Sequence, residues 1–177
     1  RMIQSHDQKI AEVWALFRET QERQKKTDAQ MAKTDEKIDK LTDRWGRFIE
    51  CFLAPGIPKA FQERGIPIIG TSERQKRIIS GNQMEIDILG INTDCVVAVE
   101  VKSTLRPEYV RNFLEKLPTF KRFFPEYKDR LVYGAMAGIE IVQEADVFAY
   151  KQGLWVITQA GDTVVIQNDE RFCPKTW

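Results

Sequence analysis

The chain has 177 residues, of which 42% are hydrophobic and 30% are charged, and its formal net charge is +1 at pH 7. This length accommodates one ordinary domain plus an appendage. A chain so close to neutrality binds a polyanion only through a local basic patch. The single histidine, His6, excludes His-based catalytic triads and multi-histidine metal sites. No glycine-rich phosphate loop ending in Lys-Ser or Lys-Thr is present, which argues against nucleotide-driven chemistry.

Cysteine usage and hydropathy bear on the compartment. The three cysteines are scattered and odd in number, which is typical of a reducing environment and of neither a disulfide framework nor a zinc site. No apolar run approaches the roughly 20 residues that a membrane-spanning helix needs. These features predict a cytoplasmic protein.

The first 46 residues carry a heptad repeat sustained over about six repeats, the pattern of a coiled coil. The two series of seam positions are Ile3, Ile10, Phe17, Gln24, Met31, Ile38 and Trp45, and His6, Val13, Thr20, Thr27, Thr34, Leu41 and Phe48. The apolar spacing is clear at both ends and diluted by Gln and Thr in the middle. His6 falls on the seam and is interpreted as a packing position.

Charges beside the seam indicate how two such helices pair. The position before the first series is basic at Lys9, Arg23, Lys37 and Arg44, and the position four residues after it is acidic at Asp7, Asp28 and Asp35. In a parallel dimer Arg23 faces Asp28 of the other copy, although an exposed pair contributes only about 0–1 kcal/mol. The alternatives are a solvated single helix or an intramolecular hairpin, for which no Gly or Pro supplies a turn. We predict a dimerisation segment over residues 1–46 and a second domain over 47–177.

The second domain begins with predicted helices and strands that are separated by Pro, Gly and turn residues. A helix is predicted over 45–53, where Pro55-Gly56 ends it, and a short helix over 57–65. Residues 66–83 are interpreted as a strand, a basic turn and a second strand, with Arg74, Lys76 and Arg77 at the turn. Two more strands, 84–91 and 95–103, flank a turn at 92–94.

The remainder alternates helices and strands. A helix over 106–127 is interrupted at Pro118, a strand covers 130–141, a helix covers 142–153, and a hairpin over 154–167 is closed by Ala-Gly-Asp. This order predicts an α/β fold in which helices pack on a mixed β-sheet.

The hairpin over 84–103 carries four charges within apolar strands. Because side chains alternate along a strand, one face is expected to carry Met84, Ile86 and Ile88, and the other Glu85, Asp87 and Leu89. In the next strand Val97, Val99 and Val101 are expected on one face, and Ala98, Glu100 and Lys102 on the other. A turn centred near Thr93 and Asp94 sets Asp87 opposite Glu100 and Glu85 opposite Lys102, so that the charges converge on one patch.

Such a patch can serve a metal ion. Two ionised carboxylates a few ångströms apart repel unless a cation lies between them, and Mg²⁺ typically binds one or two carboxylates together with water and phosphate. The Val101 carbonyl is a further candidate ligand. Lys102 is placed to orient or deprotonate a water molecule or to neutralise charge on a phosphate. The alternative is a structural ion-pair cluster in which Lys102 pairs with Glu85 and Asp87.

The arrangement of E-I-D-I-L, a turn and A-V-E-V-K resembles the PD-(D/E)XK nuclease superfamily over roughly residues 45–167. The resemblance places Asp87, Glu100 and Lys102 on the catalytic D…(E)xK positions, with Glu100 13 positions after Asp87, and it places Glu50 on the family's additional helical glutamate. It implies a restriction-endonuclease-like fold and a Mg²⁺ or Mn²⁺ cofactor held by Asp87, Glu100, Glu50 and the Val101 carbonyl. The literal Pro-Asp of the family name is absent. More narrowly, the chain looks like uncharacterised coiled-coil-bearing members of the superfamily, which imply no particular substrate. Some members of the superfamily have the fold without activity.

A basic surface is expected for a polyanion. Residues 102–130 contain eight basic residues against four acidic ones. The candidate nucleic-acid contacts are Arg74, Lys76, Arg77, Arg106, Arg111 and Lys116. Binding through such residues weakens steeply with salt, and no groove-reading motif appears. The phenylalanines at 113, 120, 123 and 124 are interpreted as core residues and not as base-stacking ones.

Three functions remain open from the sequence. The first is a homodimeric, metal-dependent nuclease that acts on nucleic acid, with DNA as the expected substrate. The second is an adaptor whose coiled coil mediates assembly and whose nuclease fold is catalytically idle. The third is non-catalytic nucleic-acid binding through the basic residues.

Overall fold

A computed structural model describes the backbone of residues 2–177 and the side chains of Glu12 and of residues 14–177. Its internal contacts divide the chain into two units, Arg1–Arg44 and Trp45–Trp177. The early seam positions Ile3, His6, Ile10 and Val13 lie outside the described side chains.

The first unit consists of one helix, α1, which runs from Met2 to Leu53 and so extends into the second unit. It is an uninterrupted helix because no proline precedes Pro55. The ion pairs Glu19–Arg23 and Glu36–Lys40, at 2.7 and 2.6 Å, stabilise it locally, each by about 0.3–0.5 kcal/mol. Every described side chain between residues 14 and 44 is exposed to solvent.

The second unit is built on one six-stranded sheet with the order β1-β2-β3-β4-β5-β6. The strands are β1 Gly70–Ile79, β2 Asn82–Ile91, β3 Cys95–Leu105, β4 Leu131–Ile141, β5 Trp155–Ala160 and β6 Thr163–Ile166. The pairs β3–β4 and β4–β5 are parallel, and the other three are antiparallel. The predicted α/β class with a mixed sheet is therefore confirmed.

Short helices connect the strands. They are α2 Ile57–Gln62, α3 Pro107–Lys116, α4 Phe120–Phe123 and α5 Ala145–Lys151. A turn of 3₁₀ helix over Leu117–Thr119 separates α3 from α4 and contains Pro118, which agrees with the predicted interruption. Two parallel strands need a crossover connection of about a dozen residues or more. Helices α3 and α4 connect β3 to β4, and α5 connects β4 to β5.

Each face of the sheet carries its own hydrophobic core. One core includes α3, α4 and α5, with Phe113, Phe120, Phe123 and Phe124 buried in it. The other joins the end of α1 and α2 to the opposite sheet face through Ile49, Leu53 and Phe61. The prediction that the phenylalanines are core residues is confirmed.

The predicted basic turn at Arg74, Lys76 and Arg77 is wrong. These residues lie within the continuous strand β1, and the chain reverses later, at Ser80-Gly81. Both turn residues have positive φ, 50° and 80°, the requirement of a two-residue turn that matches the twist of the flanking strands. Glycine supplies this conformation readily, whereas a serine gives a weaker sequence signal.

The predicted facing of β2 is also wrong in part. Met84 and Ile86 lie in the first core, as expected for alternation, but Ile88 lies in the core on the other face. The β1–β2 register is the same before and after this point, with Glu73 opposite Ile88 and Gln75 opposite Ile86. Arg74, between those two pairs, has a left-handed backbone with φ 48°. This local twist changes the phase of the alternation at Asp87.

No helix in the described part of the chain is long and apolar enough to cross a membrane.

Candidate active site

The candidate site lies where β2 and β3 separate. Their ladder runs from Ile91↔Val96 to Ile88↔Val99, which is the predicted register, and ends one residue before Asp87. Beyond that point, β3 remains paired with β4 on its other side. The Asp87 Oδ2 atom accepts a hydrogen bond of 2.7 Å from the Val101 N–H. A carboxylate thus takes the place of the missing strand partner.

Glu100 is the residue before Val101 on β3. It is buried, with 7% of its surface exposed. Its Oε1 atom lies 2.8 Å from the Lys102 Nζ, and its Oε2 atom lies 2.9 Å from the Lys116 Nζ of α3. A buried carboxylate is stabilised when both oxygens are paired in this way. The predicted opposition of Glu85 and Lys102 is not found, because the ladder ends before it would reach them.

Helix α1 contributes Glu50, which is also 7% exposed. Its neighbours Ile49 and Leu53 are anchored in the core beneath the sheet, so the last turns of the helix are fixed against the strands. The Arg74 Nε lies 3.6 Å from Glu50 Oε2, and the Arg74 Nη2 lies 3.4 Å from Glu85 Oε1. One guanidinium therefore bridges the helical carboxylate and the carboxylate on β2.

Electrostatics show that the acids influence one another. Burial raises the pKa of Asp87, and the charge of Glu100 raises it further. Burial likewise raises the pKa of Glu50, reinforced by the charge of Asp87 and opposed by Arg74. Like charges at close range disfavour joint ionisation. Helix α1 and strands β2 and β3 thus bring Glu50, Asp87 and Glu100 into one electrostatic cluster.

Lys102 remains charged in this setting. Its burial lowers the pKa of the ammonium group, but the charge and hydrogen bond of Glu100 and the charge of Asp87 outweigh burial and raise it overall. A lysine with a raised pKa is a poor proton acceptor at neutral pH. Of the roles considered for Lys102, the raised pKa disfavours deprotonation of a water molecule and is compatible with charge neutralisation.

The cluster can be compared with the needs of a divalent ion. It contains four carboxylates and three cationic groups: Glu50, Glu85, Asp87 and Glu100, and Arg74, Lys102 and Lys116. Carboxylate oxygens are the ligands that Mg²⁺ prefers, and the surplus negative charge favours a cation. Within the described residues, no three His, Cys, Asp or Glu side chains are arranged to hold a metal. The donor chemistry fits a hard ion, provided that Glu100 exchanges a lysine for it.

The remaining predicted residues are distributed around this cluster. The Val101 side chain is buried. The hydrogen bond to Asp87 comes from the Val101 N–H and not from the carbonyl that was predicted as a metal ligand. Arg77 pairs with Glu126 at 3.2 Å. Arg111 lies over the ring of Phe148. The nucleic-acid candidates Lys76 and Arg106 are exposed.

Sequence reasoning missed Tyr109 and gave Arg74 and Lys116 other roles. The Lys102 Nζ lies 5.7 Å from the centre of the Tyr109 ring, in a cation–π arrangement. Tyr109 and Lys116 are seven residues apart on α3, which places both on one helix face, so this spacing was an available signal. A groove of about 450 Å³ beside the cluster is lined by Glu85, Asn112, Lys116 and Phe123, among others.

Comparison with known proteins gives one match. A family model described as "Domain of unknown function (DUF8196)" matches residues 57–166. No curated protein and no solved structure matches the chain. The matched region spans all six strands and includes Asp87, Glu100 and Lys102, whereas Glu50 and the first unit lie outside it.

Proposed function

The chain belongs to the DUF8196 family, and we propose that it is a metal-dependent nuclease that hydrolyses phosphodiester bonds of nucleic acid, with DNA as the expected substrate. The proposal includes a restriction-endonuclease-like fold and membership of the PD-(D/E)XK superfamily. It also includes self-association of residues 1–46 as a parallel coiled coil, so that the protein acts as a homodimer.

The observation that carries the proposal is the fork between β2 and β3. Regular sheet geometry would pair Asp87 with the backbone of β3, but the ladder stops at Ile88 and the carboxylate takes over at Val101. Beside it stands Glu100, a buried acid held by two lysines. Buried charges are costly and are found mainly where function needs them. An acid pair with an adjacent lysine at a strand fork supports phosphodiester chemistry.

The side chains have separate roles in this proposal. Asp87 and Glu100, with Glu50 and the Val101 carbonyl, would hold Mg²⁺ or Mn²⁺, which supplies a Lewis acid to the phosphate. Asp87 is oriented by its bond to Val101. Lys102 stays protonated and stabilises the negative charge that develops on the phosphate oxygens. Lys116 is a second such cation, which becomes available when Glu100 takes an ion as ligand.

Arg74 supports the site by positioning Glu50 and Glu85. Its guanidinium lies within 3.6 Å of both carboxylates, and it is the main group that counteracts the raised pKa of Glu50. A left-handed backbone costs a non-glycine residue about 1–3 kcal/mol. Strain of this kind at a residue that bridges two site acids supports a positioning role for Arg74.

The decisive experiment is a cleavage assay with the purified full chain. Linear, branched and single-stranded DNA, and RNA, are incubated with Mg²⁺, Mn²⁺ or EDTA. We expect ion-dependent cleavage of at least one substrate, and a loss of about 10²–10³-fold in Asp87→Ala and Lys102→Ala, the usual effect of removing one electrostatic group from a site. Calorimetry with Mn²⁺ should show weakened binding in Asp87→Ala.

Matched variants control for the change of charge. Asp94→Ala and Lys128→Ala remove one acid and one lysine from exposed positions outside the cluster, and both should keep native cleavage. Activity that persists in Asp87→Ala and Lys102→Ala would identify a contaminant and refute the proposal.

A second candidate is a catalytically idle scaffold that works through its coiled coil. The observation that favours it is that both oxygens of Glu100 are already bonded to lysines. If no substrate is cut and Mn²⁺ does not bind, this scaffold function replaces the nuclease.

A further inference from the structure

The last turns of α1 carry two apolar stripes, one buried and one exposed. Ile49 and Leu53 are 1% and 0% exposed and belong to the core beneath the sheet. Trp45, Phe48 and Phe52 are 55%, 57% and 40% exposed. The sequence alone does not separate the two stripes, because all five residues fall within nine positions.

The three exposed aromatic rings form a ladder along the helix. The ring centres of Trp45 and Phe48 lie 5.5 Å apart, and those of Phe48 and Phe52 lie 6.3 Å apart, with the rings nearly parallel. Three large aromatic side chains left half-exposed on one face of a helix are typical of an interaction surface.

The spacing of this ladder identifies what covers it. Trp45 and Phe48 stand seven residues after Ile38 and Leu41, and Phe52 stands seven after Trp45, so the ladder continues the heptad seam. Ile38 and Leu41 are exposed as well, by 54% and 66%. A repeat of seven is the signature of a helix that packs against another helix of the same repeat.

We propose that Trp45, Phe48 and Phe52 form an interface with a second copy of this chain, in a parallel arrangement that pairs each residue with its own counterpart. The interface therefore extends past residue 46 into the unit that carries the sheet. This deepens the proposed self-association by naming residues of the sheet-bearing unit that take part in it, and it rests on the proposed nuclease function only for its consequence at the candidate site.

Charge decides between parallel and antiparallel pairing. The position that precedes the first seam series is basic at Arg23, Lys37 and Arg44, and the position four residues after that series is acidic at Asp28 and Asp35. In a parallel pair these two positions face each other across the seam, whereas in an antiparallel pair each faces its own kind. Opposite charges meet only in the parallel dimer.

The interface also bears on the candidate site. At about 100° per residue, Glu50 lies roughly 140–160° around the helix from Trp45, Phe48 and Phe52. The second copy therefore packs on the side of α1 away from Glu50. The turn that carries Glu50 is held between its own core, through Ile49 and Leu53, and the second copy. In such a dimer the two Glu50 positions lie on opposite sides of the helix pair.

Disulfide trapping in the full chain tests this interface. In a Cys51→Ser, Cys173→Ser background, which removes the two exposed cysteines, Phe48→Cys should form an interchain disulfide on mild oxidation. Arg47→Cys, one residue away and exposed, should not, because it points away from the seam. Equal cross-linking of both, or cross-linking of neither, overturns the proposal.

Mass in solution gives a second measurement that does not depend on activity. Light scattering should show a dimer for the native chain, and Phe48→Glu with Phe52→Glu should raise its dissociation constant at least about tenfold, as expected for aromatic anchors of an interface. Arg47→Glu should leave it within about twofold. A monomeric native chain overturns the proposal. If the native chain cleaves no substrate but the Phe48→Cys cross-link forms, the nuclease is refuted and the interface stands.

Discussion

The two units of the chain are stabilised in different ways. In Trp45–Trp177 a six-stranded sheet buries a core on each face. In the part of Arg1–Arg44 whose side chains are described, all are exposed, and stabilising contacts are between residues three or four apart on one helix. The second unit draws its stability from long-range packing, whereas the described part of the first is stabilised by helix propensity and local ion pairs.

This difference predicts how each unit responds to change. A single side chain contributes little to the stability of a helix that has no packed face. Truncation of a seam residue should therefore change the association of two copies and leave the folding of the sheet unchanged. A core residue of the second unit should do the reverse. Three substitutions, in order of decreasing effect, test how far the contrast holds.

The largest effect is expected for Phe113→Ala. Phe113 is fully buried between α3 and the sheet, and truncation of a buried phenylalanine costs about 3–5 kcal/mol. Urea unfolding followed by near-ultraviolet circular dichroism should show this loss. Met31→Ala, at an exposed seam position, should change the same transition by less than about 0.5 kcal/mol. Comparable losses in both variants would show that the units unfold together.

A pH-dependent effect is expected for Asp87→Asn. Because the pKa of Asp87 is raised by burial and by Glu100, the folded protein holds the proton more tightly than the unfolded chain does. The stability from this group is thus full at low pH and is lost as the pH rises through the raised pKa. Asparagine keeps an oxygen for the Val101 N–H and does not ionise, so the variant should be more stable than the native chain at neutral pH.

The advantage of Asp87→Asn should shrink as the pH falls below the raised pKa and disappear towards the ordinary pKa of an aspartic acid. Urea titrations at a series of pH values measure it. Asp94→Asn, in the exposed turn before β3, provides the matched comparison and should show no such trend. A variant that is less stable than the native chain at neutral pH would contradict the interpretation. Together with lost cleavage, the expected result would identify Asp87 as a residue kept for function at a cost in stability.

The smallest effect is expected for Gly46→Ala. Gly46 lies within α1, and a Cβ atom at this position meets nothing within 4 Å. Glycine inside a helix costs about 0.5–1 kcal/mol relative to alanine. The variant should therefore gain helicity and a stability of that order, measured by thermal unfolding in far-ultraviolet circular dichroism. A loss of stability would indicate that this part of α1 is packed more closely than the structure shows.

Much of the fold follows from periodicity and punctuation in the sequence. Pro55-Gly56 correctly predicts the end of α1 at Leu53, and the turn at 92–94 correctly predicts the register of Ile88–Ile91 against β3. These features depend on local backbone chemistry. The heptad spacing put Trp45 and Phe48 on the coiled-coil seam, but it did not separate them from Ile49 and Leu53, which the structure distinguishes by burial.

The site was predictable only in part. Alternation and register predicted that Asp87, Glu100 and Lys102 share a patch, because these residues lie on adjacent strands. The roles of Arg74 and Lys116 depend on contacts that bring α1, β1 and α3 to the same place. The spacing of Tyr109 and Lys116 puts both on one helix face but does not indicate what that face contacts. The left-handed Arg74 and the change of phase at Asp87 interrupt the regular pairing of β1 with β2, which alternation does not anticipate.

The fork at Val101 gives the protein a built-in spectroscopic probe. The amide proton of Val101 is held by a side chain and not by a neighbouring strand, so its chemical shift and its exchange with solvent depend on the charge and position of one carboxylate. In ¹⁵N-labelled protein this single resonance should follow the titration of Asp87. The addition of Mg²⁺ should move it before amides elsewhere in the sheet respond.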